Sequence, residues 1–202
     1  KSMSYVLIIG AKSDIAKEVA REYAKNGYDL YLAGRNIDEM KDFENDIKIR
    51  SNVEVNLKEF DITKFETHSD FYSSLEPKPL SVIVVAGYMA EQKTCENDWS
   101  KTLNTINVNF TGAVSILNII SNDMEQNKNG FIVGVSSVAG DRGRKANYIY
   151  GSAKAGFSAY LSGLRNRLYE SGVKVLTVKP GFVNTKMTAK LDLPTKLTAQ
   201  PE

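Results

Sequence analysis

Residues 5–25, YVLIIGAKSDIAKEVAREYAK, hold the pattern that decides the fold. The run from Tyr5 to Ile9 is uninterrupted and apolar, which is typical of a strand buried on both faces. After Gly10 the apolar side chains recur three or four positions apart, so a helix is predicted from Ile15 to Lys25. The dipeptide at 26–27, Asn-Gly, ends that helix. The stretch therefore predicts one strand, one tight turn and one helix.

The same alternation of short apolar runs and longer helical patterns continues along the chain. Further strands are predicted at Asp29–Ala33, Val53–Phe60, Ser81–Val85, Phe131–Val135 and Val173–Val178. Further helices are predicted at about Ile37–Ile49, Phe65–Leu75, Trp99–Asn127 and Tyr148–Ser171. Continuous apolar strands alternating with helices indicate a parallel sheet covered on both faces. Right-handed crossovers then give an α/β fold with a Rossmann-type doubly wound parallel sheet in three layers.

The last part of the chain does not continue this pattern. Residues 186–202 are polar and contain two prolines, so no seventh strand is predicted there. We expect residues 1–202 to form a single domain, in which 186–202 serve as a lid, through Met187 and Leu191, or as a mobile tail.

Composition excludes several classes of function. The 26 basic and 24 acidic residues leave a net charge of +2, which gives no support for nucleic-acid binding by bulk electrostatics. Cys95 is the one cysteine, so no intrachain disulfide forms. Cys95 and Trp99 could serve packing or the substrate side, and packing is favoured for Trp99. His68 is the one histidine; no metal site is expected, and its polar surroundings predict a helix surface. No apolar run approaches the ~20 residues of a membrane span. The start of the chain lacks a signal-peptide pattern, so a cytoplasmic location is expected.

The turn after the first strand, GAKSDIA at residues 10–16, stands where a dinucleotide-binding turn belongs. Such a turn brings main-chain N–H groups and a helix N-terminus to a pyrophosphate. Only Gly10 remains of the usual glycine pattern, and Ser13 and Asp14 are good helix caps, so a plain helix start explains these residues equally well. The candidate cofactor-binding residues of this turn are Gly10, Lys12, Ser13, Asp14 and Ile15.

The residues after the second strand bear on the choice of cofactor. An acidic residue there binds the ribose 2′-OH of NAD, whereas a nearby arginine accommodates the 2′-phosphate of NADP. This chain has no acid at that point and places Arg35 just past the strand, with Lys12 as a second source of positive charge. A solvated loop arginine is the alternative. The pattern favours NADP(H) over NAD(H).

Tyr150 and Lys154 lie four residues apart and so on one face of a predicted helix. A free tyrosine has a pKa of about 10, and a neighbouring ammonium group would lower it. Ser136 and Ser137 follow the fifth strand, where a hydroxyl could hold a substrate carbonyl. An isolated Tyr-x-x-x-Lys is far more often a plain pair on a helix surface. The order of the other motifs along the chain must therefore decide whether this pair is catalytic.

That order resembles the short-chain dehydrogenase/reductase family across nearly the whole chain. GAKSDIA is a degenerate form of the family's glycine-rich turn, and VVAG at 84–87 stands where the family usually has Asn-Asn-Ala-Gly. The segments NVNFTG at 107–112 and VSSVAG at 135–140 resemble the asparagine and serine motifs. The resemblance assigns four catalytic positions to Asn109, Ser137, Tyr150 and Lys154.

The resemblance also implies further cofactor-binding positions. FDIT at 60–63 is similar to the family's adenine-binding segment, and KPGFVNT at 179–185 to its nicotinamide-side loop. The residues implied in this way are Asp61, Ile62, Ala86, Gly87, Pro180, Val183 and Thr185, together with Tyr150 and Lys154.

The implied reaction interconverts a ketone and a secondary alcohol, with a small-molecule carbonyl or alcohol as the partner. In it Tyr150 is the acid or base, Lys154 binds the nicotinamide ribose and lowers the pKa of the tyrosine, and Ser137 polarises the carbonyl. Asn109 is implied to hold a water through its main chain and a local helix distortion.

Alternatives and assembly stay open at this point. The Gly-x-x-Ser-Asp-Ile-Ala turn is similar to that of reductases acting on keto-sugars in polysaccharide or polyprenyl-phosphate-sugar biosynthesis. A non-catalytic NADP(H)-binding regulator is a further alternative, although such a protein would be expected to lose the tyrosine or the lysine. The longer epimerase and dehydratase relatives carry a C-terminal substrate domain that has no counterpart in these 202 residues. The family continues with another helix and a seventh strand, and its two long helices imply a homodimer or homotetramer.

Overall fold

The computed structural model describes residues 4–183 and 198–199, which contain one six-stranded parallel sheet. The strand order is β3-β2-β1-β4-β5-β6, so the direction of winding reverses between β1 and β4. The prediction of a Rossmann-type doubly wound sheet is confirmed. The strands are β1 (Tyr5–Ile9), β2 (Asp29–Gly34), β3 (Val55–Glu59), β4 (Ser81–Val84), β5 (Phe131–Val135) and β6 (Lys174–Val178).

Helices cover both faces of this sheet and complete the three layers. They are α1 (Asp14–Lys25), α2 (Lys41–Ser51), α3 (His68–Ser73), α4 (Gln92–Asn97), α5 (Trp99–Ile106), α6 (Gly112–Asn127) and α7 (Tyr148–Leu168). Alternate residues of β1 enter opposite cores: Val6 and Ile8 pack on one side and Leu7 and Ile9 on the other. This double burial is the reason that the central strands are apolar at every position.

Several boundaries differ from the predicted ones. The second predicted helix begins as a 3-10 turn at Ile37–Met40, after Asn36 in the left-handed conformation (φ 50°). Helix α4 was not predicted, since its six residues are polar and too few to show a period. A π-helical turn at Asn107–Thr111 divides the predicted long helix into α5 and α6. A small pair of parallel strands, β7 (Phe182–Val183) and β8 (Thr198–Ala199), is also new.

Residues 99–127, which include this π-helical turn, are long and apolar enough to cross a membrane. Within their most apolar 18-residue stretch, 44% is buried inside the fold. Core helices of globular domains meet the same criteria, so this segment is only weak evidence of a membrane span.

Two expectations about single residues were wrong. His68 is completely buried rather than on a helix surface, because its ring packs against Phe60 with centroids 4.9 Å apart. Trp99 is 70% exposed rather than packed. Cys95, for which two roles were open, is buried. The lid residues Met187 and Leu191 and the cofactor position Thr185 lie outside the described residues.

Candidate active site

The candidate site lies beyond the carboxyl ends of β1 and β4, where the strand order reverses and where doubly wound sheets bind ligands. Gly10 makes this geometry possible. Its φ is +87°, and a Cβ there would stand 2.5 Å from the main-chain nitrogen of Ala86. The two loops therefore approach each other more closely than a side chain at position 10 would allow.

One cavity of about 1340 Å³ runs along this edge of the sheet. It brings together candidate residues that are distant in sequence. Its lining includes the predicted residues Gly10, Lys12, Ser13, Asp14, Ile15, Arg35, Asp61, Ile62, Ala86, Gly87, Ser137, Tyr150, Lys154, Pro180 and Val183. Asn109 is a catalytic candidate that does not line it.

The turn after β1 leads directly into the first turn of helix α1. The Ser13 hydroxyl accepts a hydrogen bond of 3.1 Å from the Ala16 N–H, and Ser13 rather than Asp14 caps α1. Asp14 follows in the first helical turn, where the positive end of the helix favours a carboxylate. The ammonium of Lys12 donates to Glu39 at 2.6 Å, so part of the positive charge expected here is already paired.

The loop after β2 is held by a carboxylate that sequence reasoning missed. Glu59 accepts hydrogen bonds from the N–H groups of Asn36 (2.9 Å) and Ile37 (3.0 Å), and it lines the cavity close to Arg35. The sequence offered one indication of this role, since Glu59 stands at the end of the predicted third strand. Both of its oxygens are engaged, which fixes the loop that carries Arg35.

Asp61 is poised as an ionised acceptor in the cavity wall. Burial opposes its ionisation, but hydrogen bonds from the N–H (3.0 Å) and hydroxyl (2.7 Å) of Thr63, with the charge of Arg35, lower its pKa overall. The carboxylate is therefore available to accept a hydrogen bond from a ligand in the cavity.

Lys154 is a buried ammonium at the opposite end of the cavity. It is only 3% exposed, and its Nζ donates to the Val135 carbonyl at 3.0 Å. The same nitrogen lies 5.8 Å from the centre of the Tyr150 ring. Burial lowers the pKa of Lys154 from 10.5 to about 8.

The electrostatics of Tyr150 differ from the expected pattern. Burial raises the pKa of Tyr150 above 10, and a hydrogen-bonding interaction with Ser137 offsets only part of that rise. Burial thus sets the direction of the shift in the protein alone, and the lowering of this pKa by Lys154 stays a prediction. The ring and the ammonium share a desolvated pocket, in which loss of water disfavours the charged form of both.

Asn109 lies in the π-helical turn, so the helix distortion that the resemblance implied is present. Its side chain is buried and bonds to main chain, with the amide nitrogen donating to the carbonyls of Tyr88 (2.5 Å) and Thr105 (2.8 Å). The amide oxygen accepts from the Tyr88 N–H at 3.3 Å. Asn109 thus ties the loop after β4 to the turn between α5 and α6.

The start of α7 is positioned from outside the helix. The Gln92 side-chain oxygen accepts from the Ile149 N–H at 3.2 Å. The Ser136 hydroxyl donates to the Lys154 carbonyl at 3.0 Å, while the Ser137 hydroxyl accepts from the Ala139 N–H at 3.1 Å. Both serines line the cavity. Ser136 supports the helix, and Ser137 is the one that interacts with the hydroxyl of Tyr150.

Two cavity-lining residues near Tyr150 were also missed, Arg144 and Asn147. They belong to the loop between β5 and α7, whose role no motif indicated. Among the residues that the structure describes, no group of three or more His, Cys, Asp or Glu side chains is placed to hold a metal ion.

Curated relatives carry names that give an activity class. The chain is 36% identical over 200 residues to an uncharacterized oxidoreductase of Mycobacterium tuberculosis, strain H37Rv, covering 98% of this chain and 80% of that protein. It is 30% identical over 197 residues to an uncharacterized oxidoreductase of Myxococcus xanthus, covering 95% and 78%.

Solved structures share the fold. A short-chain dehydrogenase from Sphingobium yanoikuyae in complex with NADPH matches with a TM-score of 0.89 at 23% identity, covering 98% of this chain and 80% of that one. An actinorhodin polyketide ketoreductase variant with NADPH matches at 0.85 and 21%, covering 96% and 79%.

The family assignment rests on the sequence itself. The family model described as short chain dehydrogenase matches residues 4–195. With the relatives above, this match shows that the chain is an oxidoreductase of the short-chain dehydrogenase family.

Proposed function

We propose that this protein reduces a ketone to a secondary alcohol with NADPH and catalyses the reverse reaction with NADP⁺. One observation carries the proposal: Ser137, Tyr150 and Lys154 line the same cavity as Gly10 and Arg35. The groups that we assign as proton donor, carbonyl-binding hydroxyl and dinucleotide-binding turn therefore share one cavity. Reduction of a keto-sugar, the alternative hypothesis, would be a special case of the same ketone reduction.

The residues of the cavity fit a dinucleotide phosphate. The turn at residues 10–16 and the N-terminal end of α1 suit a pyrophosphate, and Asp61 suits the amino group of an adenine. Arg35 supplies the cation for a 2′-phosphate, and no acid replaces it at the end of β2. Glu59 is the nearby carboxylate, and main-chain hydrogen bonds already engage both of its oxygens. NADPH in the related structures supports the same choice.

When bound, NADPH supplies the hydride. Ser137 donates a hydrogen bond to the substrate carbonyl and orients it, since its hydroxyl lies beside that of Tyr150. Tyr150 keeps its proton in the protein alone, because its pKa is raised, and it gives that proton to the carbonyl oxygen as the alcohol forms. Lys154, charged at pH 7, stabilises the phenolate that is left and binds the ribose.

Other parts of the account are proposals of the same kind. Asn109 shapes the π-helical turn, and its main chain holds a water that returns a proton towards Lys154. Val183 and Thr185 bind the nicotinamide side. Residues 1–202 act as a single domain of a cytoplasmic homodimer or homotetramer.

The cofactor assignment is tested by titrating the protein with NADPH and NADH while following nicotinamide fluorescence. Arg35→Ser should weaken NADPH binding by about 10- to 100-fold, the range expected for a lost charge-assisted phosphate contact. Its effect on NADH should be small. Arg50→Ser, which removes an exposed arginine of α2, is the matched control. Tighter binding of NADH than NADPH by the unaltered protein would refute the assignment.

The reaction is tested with a panel of aliphatic, aromatic, sugar-derived and acidic ketones. Each is assayed for NADPH oxidation, with Tyr150→Phe protein as the background. We expect at least one ketone to be reduced with one alcohol formed per NADPH consumed. Turnover of the whole panel at the background rate, with no oxidation of the matching alcohols by NADP⁺, would count against the proposal.

A further inference from the structure

The loop between β5 and α7 places unbalanced positive charge at the Tyr150 end of the cavity. Residues 141–147 read DRGRKAN, with three cations and one acid. The acid, Asp141, is already paired with the ammonium of Lys179 at 2.6 Å. Within residues 4–183 and 198–199, the cations Arg142, Arg144 and Lys145 form no ion pair or side-chain hydrogen bond. All three are exposed.

One of these cations is part of the cavity itself. Arg144 lines the cavity together with Ser137, Asn147 and Tyr150. Its backbone is tied to the start of α7, because its carbonyl accepts from the Asn147 N–H at 3.1 Å and the Asn147 carbonyl accepts from the Gly151 N–H at 2.8 Å. A fixed turn therefore holds the guanidinium-bearing residue close to the proton donor.

The lining contains a second polar group without a partner. The side-chain oxygen of Asn147 is buried and accepts no hydrogen bond within the described part of the chain. An unsatisfied buried oxygen is unfavourable, and a donor on a bound ligand would satisfy it. Val138 and Met89 supply apolar surface to the same cavity.

From this arrangement we propose that the substrate is a ketone that carries an anionic group, a carboxylate or a phosphate, which Arg144 binds. Arg142 and Lys145 form a positive rim that draws such a substrate to the cavity, and the N-terminal end of α7 adds to the same potential. A substrate hydroxyl donates to the Asn147 oxygen. The proposal rests on the carbonyl reduction proposed above and names the substrate class for it.

Charge in the surroundings favours an anion over a cation. Glu96 is an acid close to the start of α7, and it accepts hydrogen bonds from the hydroxyl of Tyr148 (3.1 Å) and from Gln92 (3.3 Å). It does not line the cavity. An arginine in a partly enclosed wall binds carboxylates and phosphates through two parallel N–H groups, so it selects both charge and geometry.

Matched pairs of ketones test this substrate class and separate the two anions. Levulinate and methyl levulinate differ in a carboxylate, and dihydroxyacetone phosphate and dihydroxyacetone differ in a phosphate. For at least one pair we expect kcat/KM to be about tenfold or more higher for the anionic member, mainly through KM. The preference should fall as salt rises from about 0.05 to 0.5 M.

Arg144→Gln should lower the ratio of anionic to neutral kcat/KM by about tenfold, the loss expected for one charge-assisted contact. The control Arg50→Gln, on α2, should keep the ratio of the unaltered protein. Equal or better turnover of both neutral members, or a ratio that Arg144→Gln does not change, would overturn the inference.

A binding measurement separates this inference from the proposed reaction. Calorimetric titration of the four compounds into protein saturated with NADP⁺ needs no turnover. Tighter binding of an anionic member, weakened by Arg144→Gln, supports the anion site even if no ketone is reduced. Equal binding within both pairs rejects it even if ketones are reduced.

Discussion

Replacing Lys154 by methionine should change how stability depends on pH. The ammonium is 3% exposed, and burial lowers its pKa from 10.5 to about 8. Below pH 8 the group is charged in the folded and unfolded chains, and the cost of burying it is fully present. Between pH 8 and 10.5 the folded chain releases the proton while the unfolded chain keeps it, so stability rises with pH.

The size of this rise follows from the two pKa values. Each pKa unit corresponds to about 1.4 kcal/mol, so the free energy of unfolding should gain about 2–3 kcal/mol between pH 7 and pH 10 through this group alone. Lys154→Met lacks that gain. The substitution also leaves the Val135 carbonyl without its donor. That cost does not vary with pH, so the pH dependence isolates the titration.

The assay is urea unfolding of the protein without cofactor at several values between pH 7 and pH 10. The quantity compared is the difference in unfolding free energy between the unaltered protein and Lys154→Met. Lys145→Met, which removes an exposed lysine, is the matched control and should show no such trend. A difference for Lys154→Met that stays constant over this range would refute the buried-ammonium account.

Three further outcomes are expected. Gly112→Ala places a Cβ against the Ile62 carbonyl and should destabilise the fold by about 1–3 kcal/mol. Its control, Gly163→Ala, has open space around the new Cβ and should stabilise the fold by about 0.5–1 kcal/mol. Equal effects of the two substitutions in thermal unfolding would contradict this. Burial lowers the pKa of His68, so stability should fall as pH drops below about 6.5, and His68→Gln should remove that fall in urea titrations. Asn109→Ala removes three hydrogen bonds to main-chain groups and should cost about 2–4 kcal/mol. Asn107→Ala, which loses no such bond, is the control, and equal unfolding midpoints would be evidence against the role given to Asn109.

The central part of the fold was predictable because its physical signal is local. Residues such as Leu7 and Ile8 face opposite cores, so the strand is apolar throughout and visible in the sequence. The helix boundaries that were predicted wrongly depend on the backbone conformation of single residues. The left-handed Asn36, for example, turns the start of the next helix into a 3-10 turn.

The candidate site was predictable where a motif fixes both residue type and order, as with Tyr150 and Lys154. The contributions of Glu59 and Arg144 were not, because contacts between separate loops determine them. Glu59 reaches the loop after β2 only once the two strands pair. His68 looked like a surface residue in a polar stretch, and only the docking of α3 on α6 buries it.

The raised pKa of Tyr150 could not be predicted from the sequence for a related reason. The spacing of Tyr150 and Lys154 shows that they are neighbours but not that both are desolvated. In the structure burial raises the pKa of the Tyr150 phenol and lowers that of the Lys154 ammonium. Charge partners can be read from spacing, but the dielectric around them cannot.

The most direct test of the account is Tyr150→Phe, measured for NADPH binding and for reduction of the best ketone of the panel. NADPH affinity should stay within about threefold of that of the unaltered protein, a difference of less than ~1 kcal/mol in binding free energy. The value of kcat should fall by at least about 100-fold, the lower end of what a positioned proton donor contributes. Retention of more than about a tenth of kcat, a loss below ~1.4 kcal/mol in the barrier, would show that another group supplies the proton.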